Sequence, residues 1–272
     1  MIVVLSDKNP PFPFKQIRVL PFQKFNGTEN MCLDLYFAEQ MEYSTTPLLR
    51  FYGWNPFCLS LGHHQKSDLI NIEKLQANGY DIVRRPTGGS AILHSDELTY
   101  SFILPRNKVN HHAVYAYFHS NLAKALNSIG YNVELAGTEK KGIYLNQAAD
   151  TFACFNRSAL SEIQYDGKKV VGSAQKLLKY AILQHGSIMI KPTHEEIIDY
   201  LLLNPDEQQQ QKNLLKEKSM SLEQVNSRRI TVNEIADPLL DMFEKSGIQM
   251  YYRYPSNEEI KDALKYIDQV CL

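Results

Sequence analysis

The sequence predicts a single-core chain that mixes β-strands with α-helices, and three observations carry that expectation. Short β-branched and aromatic runs at residues 48–52, 58–61 and 98–104 are bounded by Gly, Pro, Asn and Asp. An Asp166-Gly167 pair between two further runs is a strong hairpin signal. Between the strands lie helical periods, the clearest at Val114, Phe118, Leu122, Ala125, Leu126 and Ile129, stopped by Gly130. A length of 272 residues allows one sizeable core, or one core with a small appendage. The expected division is a domain over residues 1–230 and a helical segment over 231–272 packed on it.

Taken in order, residues 9–13 hold three prolines and read as an extended surface arm. From Thr28, a candidate cap, Met31, Leu35 and Ala38 recur near one helical face, with Asp34 either orienting a loop or facing water. The strands at 48–52 and 58–61 join around Trp54-Asn55-Pro56, and residues 68–78 form a short helix closed by Gly79. Residues 131–135 read as a strand and residues 136–150 as a loop. Residues 162–190 read as three strands. The remainder reads as helical, because Thr193-x-x-Glu196, Thr231-x-x-Glu234 and Ser256-x-x-Glu259 each have the form of a capping box. Residues 206–218, rich in Gln and charge, read as a solvated helix or linker.

Composition excludes several function classes. The apolar share of 44% and charged share of 22% suit an ordinary globular chain. A net charge of −1 argues against binding nucleic acid by phosphate neutralisation. Cys32, Cys58, Cys154 and Cys271 lie far apart with no CxxC pair, so neither a disulfide framework nor a zinc site is suggested. His63-His64 is a weak metal signal, since adjacent residues in an extended segment point to opposite faces. With no apolar stretch of membrane-spanning length and no secretory leader, the chain is expected to be soluble and cytoplasmic.

Two stretches carry chemistry. In residues 81–104 a strand-like lead meets Arg84-Arg85, then Pro86-Thr87-Gly88-Gly89, then His94 and the run to Leu104. Pro fixes φ and the Gly pair permits positive φ, so a tight loop is expected. It is either a turn with a solvated Arg pair or a cradle whose bare backbone and guanidinium forks meet ligand oxygens. It is neither a Walker loop nor a dinucleotide fingerprint, because the glycine spacings are absent. In the second stretch Cys154 precedes Lys168-Lys169 by one hairpin. A nearby ammonium lowers a thiol pKa and favours the nucleophilic thiolate, whereas a buried thiol among apolar neighbours is inert. Strand alternation puts Lys169 with Val171 and Ser173, and Lys168 with Val170 and Gly172, without choosing between them. His185 reads either as a base, as an orienting donor or as a satisfied core histidine.

Taken together, Asn30-Met31-x-Leu33-Asp34, the run from Arg50 to Pro56, Arg84-Arg85-Pro86-Thr87-Gly88-Gly89 with residues 94–101, Cys154-Phe155, the run from Gly167 to Gln175, and Leu183-Gln184-His185-Gly186-Ser187 resemble the lipoate–protein ligase, octanoyltransferase and biotin–protein ligase superfamily. The likeness is nearest to the octanoyltransferases of the Gram-positive lipoyl-assembly route. It spans roughly residues 28–265 in unbroken order, which is more specific than any single motif.

The resemblance implies an α/β fold of the α+β type, with a mixed, largely antiparallel sheet flanked by helices. It implies transfer of an octanoyl group from octanoyl–acyl carrier protein, through a thioester on Cys154, to a lysine of a lipoyl-domain protein such as the glycine-cleavage H protein. Cys154 and Lys169 become the catalytic residues. Arg84, Arg85, Thr87, Gly88, Gly89, His94, Tyr100, Gly172, Ser173, His185 and Gly186 become the substrate-binding ones. No metal and no cofactor beyond the donor's phosphopantetheine are implied, nor any nucleic-acid or membrane partner, and the chain is expected to be a monomer. Ser90 and Leu35 depart from the family pattern, which often has Arg and an acidic residue there, and imply altered acyl or partner preference. The competing readings are an ATP-dependent lipoate–protein ligase, an amidotransferase between H protein and dehydrogenase subunits, and a non-catalytic lipoyl-domain binding protein.

Overall fold

A computed structural model describes residues 12–136 and 162–272. The expected proline arm at 9–13 therefore falls mostly outside the described residues, as do Cys154 and all but the first residue of the loop expected at 136–150.

The chain builds an eight-stranded sheet and a three-stranded one. In sequence, β1 (Gln16–Phe25), α1 (Gly27–Glu39), β2 (Leu48–Trp54), β3 (Cys58–Leu61), α2 (Ile72–Ala77), β4 (Asp81–Arg84), β5 (Ile92–His94) and β6 (Glu97–Pro105) come first. Then follow α3 (His111–Ser128), β7 (Glu134–Leu135), β8 (Ile163–Tyr165), β9 (Lys168–Leu177) and β10 (Ala181–Met189). The end of the chain holds α4 (Pro205–Lys218), α5 (Leu222–Asn226), α6 (Val232–Lys245), β11 (Gln249–Tyr252) and α7 (Asn257–Ala263). The large sheet has the order β11-β1-β2-β6-β10-β9-β8-β7, and the small one β4-β3-β5. Among the described residues the β11–β1, β1–β2 and β3–β4 strand pairs are parallel and the others antiparallel, so the architecture is the mixed, largely antiparallel one expected.

The strands are buried on both faces, and their alternation divides the molecule. Leu49, Phe51, Leu98, Tyr100, Phe102, Ile182 and Ile188 face α3 and α6 in one core. Leu48, Tyr52, Trp54, Ile103 and Leu183 face α1 and α7 in a second. A third core joins the small sheet to Ile197, Ile198 and Leu215. The candidate site lies on the second face, between the two sheets.

Several local expectations are corrected. α1 is capped not by Thr28 but by Asn26, whose side chain accepts from the Glu29 amide while Glu29 reaches back to the Asn26 amide. The box at Thr193 does not form. Pro192–Tyr200 is a 3₁₀ helix, and the Thr193 hydroxyl instead pairs with Ser95 at 2.7 Å. The boxes at Thr231 and Ser256 are present. The end of the chain is not wholly helical, because β11 lies parallel on β1. β1 and β5 have no counterpart in the sequence reading. The strand expected at 131–135 is reduced to Glu134–Leu135, and the helix expected at 68–78 to α2. α4 is not free in solvent, since Gln211 and Leu215 are buried. Cys32 and Cys58 are buried packing residues.

Candidate active site

The register of four neighbouring strands assembles a polar patch inside an apolar sheet. Arg50 and Tyr52 of β2 stand opposite Ser101 and Thr99 of β6, which stand opposite His185 and Ser187 of β10, which stand opposite Ala174 and Gly172 of β9. These residues share one face because strand side chains alternate. The small sheet and the loop after β4 cover that face. Between them is a cavity of about 360 Å³, counting its mouth. Met31, Tyr52, Trp54, Ile92 and Ala174 supply apolar walls. Arg85, His94, Thr99, His185 and Ser187 supply polar ones, with Gly172, Ser173 and Gly186 completing the lining. A mostly apolar cleft with a few placed polar groups is the usual form of a small-ligand site.

The loop after β4 is held from inside. Arg85 is 3% exposed, and its guanidinium donates to the Ser60 carbonyl at 3.1 Å, to the Gly88 carbonyl at 2.9 Å and to the Ser90 carbonyl at 2.7 Å. Arg84 donates to the carbonyls of Gly62, His63 and Gln65. Of the two readings left open, the solvated arginine pair is not found, since both forks organise backbone. Gly89 has φ of 96°, the left-handed region that favours glycine, while Gly88 faces open space.

Two buried imidazoles line the cavity. His185 Nδ1 lies 3.1 Å from Asp34 Oδ2 and its Nε2 2.6 Å from Thr87 Oγ1. Asp34 also accepts from Arg50 Nη1 and from the Tyr52 hydroxyl, each at 3.1 Å. His94 Nδ1 lies 2.8 Å from Glu97 Oε1 and its Nε2 2.8 Å from Ser60 Oγ, and its ring stacks on Trp54 at 4.0 Å. Glu97 further accepts from Ser187 at 2.6 Å and from Thr99 at 2.5 Å.

The electrostatics follow from these partners. Burial acts to raise the carboxyls of Asp34 and Glu97, but the hydrogen bond and charge from His185 and Arg50 outweigh it at Asp34, as those from His94 with the hydroxyl bonds do at Glu97, and both end below their usual range. Burial lowers His185 against the pull of Asp34, with Arg85 and His94 adding to the lowering. Burial therefore favours the neutral imidazole at His185.

Lys169 is settled by a bulge. Ile163 pairs with Val171 but Gln164 with Lys169, so β9 carries an extra residue. Val170 and Val171 both enter the α3-side core. The expected face-sharing of Lys169 with Val171 and Ser173 is thereby broken, and Lys169 joins the face of Gly172 and Ala174. It is 4% exposed and its Nζ lies 2.5 Å from Glu162 Oε1, whereas Lys168 Nζ reaches the exposed Lys216 carbonyl.

Of the other expected site residues, Gly172, Ser173, His185, Gly186, His94 and Arg85 line the cavity. Arg84, Thr87, Gly88, Gly89 and Tyr100 are not part of its lining, though Thr87 and Gly88 bond to His185 and Arg85, which are. Tyr100 lies on the opposite face, its hydroxyl 2.7 Å from Ser173 Oγ. Ser60 had no place in the sequence reading of the site, and Glu97, Trp54, Thr99 and Ser187 lay within its quoted motifs without being named as site residues. Polar residues at alternate positions 97, 99 and 101 within an apolar strand were the available signal. Among the described residues, no group of three His, Cys, Asp or Glu could hold a metal, and no helix is long and apolar enough to cross a membrane.

Comparison with known proteins supplies the rest. The family described as the lipoyl protein ligase A/B catalytic domain matches residues 26–244. The chain is 32% identical over 252 residues to the Octanoyltransferase LipM of Bacillus subtilis, covering 88% of each chain. It is 30% identical over 267 residues to that of Clostridioides difficile, covering 90% of this chain and 97% of that one. Among solved structures, it superposes on a lipoate-protein ligase A bound with ATP with a TM-score of 0.71 at 17% identity, over 94% of this chain and 95% of that one. A bipartite lipoate protein ligase of Thermoplasma acidophilum gives 0.74 at 16%, over 94% and 92%.

Proposed function

This chain belongs to the lipoyl protein ligase A/B catalytic-domain family and is an acyltransferase, and from that premise we propose that it transfers an octanoyl group from octanoyl–acyl carrier protein to a lysine of a lipoyl domain. The observation that carries the reading is the likeness, over most of the chain, to relatives named for octanoyl transfer. The largely apolar cavity, with Gly172 and Ala174 of β9 in its wall, is consistent with an acyl chain.

The Cys154 thiolate attacks the donor's thioester carbonyl. The C–S bond to phosphopantetheine breaks, that sulfur leaves as a thiol after taking a proton, and octanoyl-S-Cys154 remains. The ε-amine of the acceptor lysine, on the H protein or another lipoyl domain, then attacks the same carbonyl. An amide forms, the Cys154 thiolate is released, and the amine's proton passes to solvent through Lys169. Thioester activation is conserved throughout, so no ATP is consumed. Lys169 enters this scheme as a proton relay and as a positive charge that would favour a thiolate. Cys154 lies outside the described residues, and its role rests on the family resemblance.

The test is intact-protein mass spectrometry after mixing with octanoyl–acyl carrier protein without ATP, beside Cys154→Ala. An octanoyl adduct absent from the variant and discharged onto H protein supports the reading. Acceptor modification only with ATP and free acid would replace it with ligase chemistry, and an adduct only from octanoyl-H protein with an amidotransferase.

A further inference from the structure

The two imidazoles of the cavity stand in the same arrangement. Each has a buried carboxylate on Nδ1 and a buried hydroxyl on Nε2, and both lines end on the glycine loop. Asp34–His185–Thr87 reaches the loop at Thr87 itself. Glu97–His94–Ser60 reaches it through Arg85, whose Nη1 lies 3.2 Å from Ser60 Oγ and whose Nη2 holds the Gly88 and Ser90 carbonyls.

The chemistry of the groups fixes the direction of each bond. An ionised carboxylate only accepts, so Nδ1 of each ring carries the hydrogen. For a neutral ring, Nε2 then accepts from the hydroxyl. With a neutral His94 ring, Ser60 donates to it while accepting from Arg85, which uses its hydroxyl in both senses. A ring held in this way has neither a free lone pair nor a free hydrogen to offer substrate. The carboxylates come from α1 and β6 and the rings from β10 and β5, so secondary structure fixes both ends.

We propose that Asp34 and Glu97 are positioning residues: each sets the tautomer of a cavity-lining histidine, and the two histidines together hold the Thr87–Ser90 loop over the acyl site without acting as bases. Arg50 and Tyr52 hold Asp34, and Trp54, Thr99 and Ser187 hold Glu97. Because the rings that hold the loop are also walls of the cavity, a chain filling the cavity presses on the supports of the loop. The inference rests on reading this cavity as the acyl site, but its first readout does not depend on activity.

That readout is nitrogen NMR of the histidine-labelled protein at neutral pH. Both rings are expected as the Nδ1–H tautomer, with Asp34→Asn, whose amide oxygen stays on Arg50, converting His185 to the Nε2–H form, and Glu97→Gln, whose Oε1 still accepts from His94, Trp54 and Thr99, leaving His94 as it is. Octanoyl transfer should fall about tenfold to a hundredfold in Asp34→Asn, as activity does when the outer partners of metal-bound histidines are removed. Adding Thr87→Val to Asp34→Asn should cost no more than about a further twofold, since both break one chain. If Asp34→Asn fails to fold, Ser60→Ala, which takes the hydroxyl from His94 Nε2, should lower transfer through the second line. Rings found as imidazolium or Nε2–H in the wild type, or losses that simply add, would overturn the proposal. Absence of transfer from any octanoyl donor in the wild type would instead overturn the acyl reading, and the tautomers would still decide the positioning role.

Discussion

The α-carbon of Gly62 is packed against the carbonyl of Gly89, so that a Cβ at Gly62 would lie 1.9 Å from that oxygen. The loop that ends β3 and the loop that follows β4 are therefore in backbone contact. They are also joined by the hydrogen bond from the His63 amide to the Thr87 carbonyl at 2.9 Å.

Gly62→Ala must push these loops apart. Overpacking of this kind costs about 1 to 3 kcal/mol. Activity is expected to fall by more than the loss of folded protein at assay temperature explains. Comparing a melting curve with initial rates checks this, and full activity in Gly62→Ala would show that the loop contact is dispensable.

Arg85→Lys keeps the charge but loses the planar fork that spans Ser60, Gly88 and Ser90. Leaving buried carbonyls without donors costs about 1 to 3 kcal/mol. Amide hydrogen exchange at residues 87–90 is expected to quicken while the strands of the large sheet stay protected. Unchanged exchange at the loop would contradict the anchoring role.

Lys169 and Glu162 form a buried pair with side chains 4% and 2% exposed. Lys169→Met leaves a carboxylate buried without its ammonium, which costs about 3 to 5 kcal/mol. Lys169→Met combined with Glu162→Gln should recover part of that stability in urea denaturation and none of the activity. Recovered transfer in the double variant would remove Lys169 from the mechanism.

Acid should weaken the fold in two stages. Burial lowers His194 to about 4 from an ordinary 6.5, and lowers His185 as well. The unfolded chain then binds protons that the folded one refuses, so stability falls as pH drops from 6.5 and levels off below the folded values. At about 1.4 kcal/mol per pH unit, His194 accounts for up to about 3 kcal/mol. Asp34 and Glu97 have folded values below their ordinary 3.8 and 4.5, so their contribution is present above those and lost as pH falls further. Denaturation midpoints from pH 7 to 4 should show a shallower slope in His194→Asn, and parallel curves for the two proteins would refute the assignment.

Much of the site's outline is present in the sequence, because local chemistry writes it there. The Asp166-Gly167 turn, with both residues at positive φ, forms the β8–β9 hairpin that the pair predicts. The Arg84–Gly89 loop has its break where Pro and Gly put it. Other features have no local signature. β11 is recognised only by lying parallel on β1, more than two hundred residues away in sequence. The Thr193 box is a sound local pattern overruled by a nearer partner in Ser95.

The sequence by itself determined the element types, the order of the motifs and hence the family, since propensity, capping and turn chemistry act over a few residues. Only the tertiary structure decided which way the chemical groups face. Alternation assigns each strand two faces, but the pairing of β2, β6, β10 and β9 selects the one on which Asp34, Glu97 and the two histidines meet. A single extra residue in β9 turns Lys169 onto that face. The reason is that a strand's pattern is local while its register, and any bulge in it, belongs to a pair of strands.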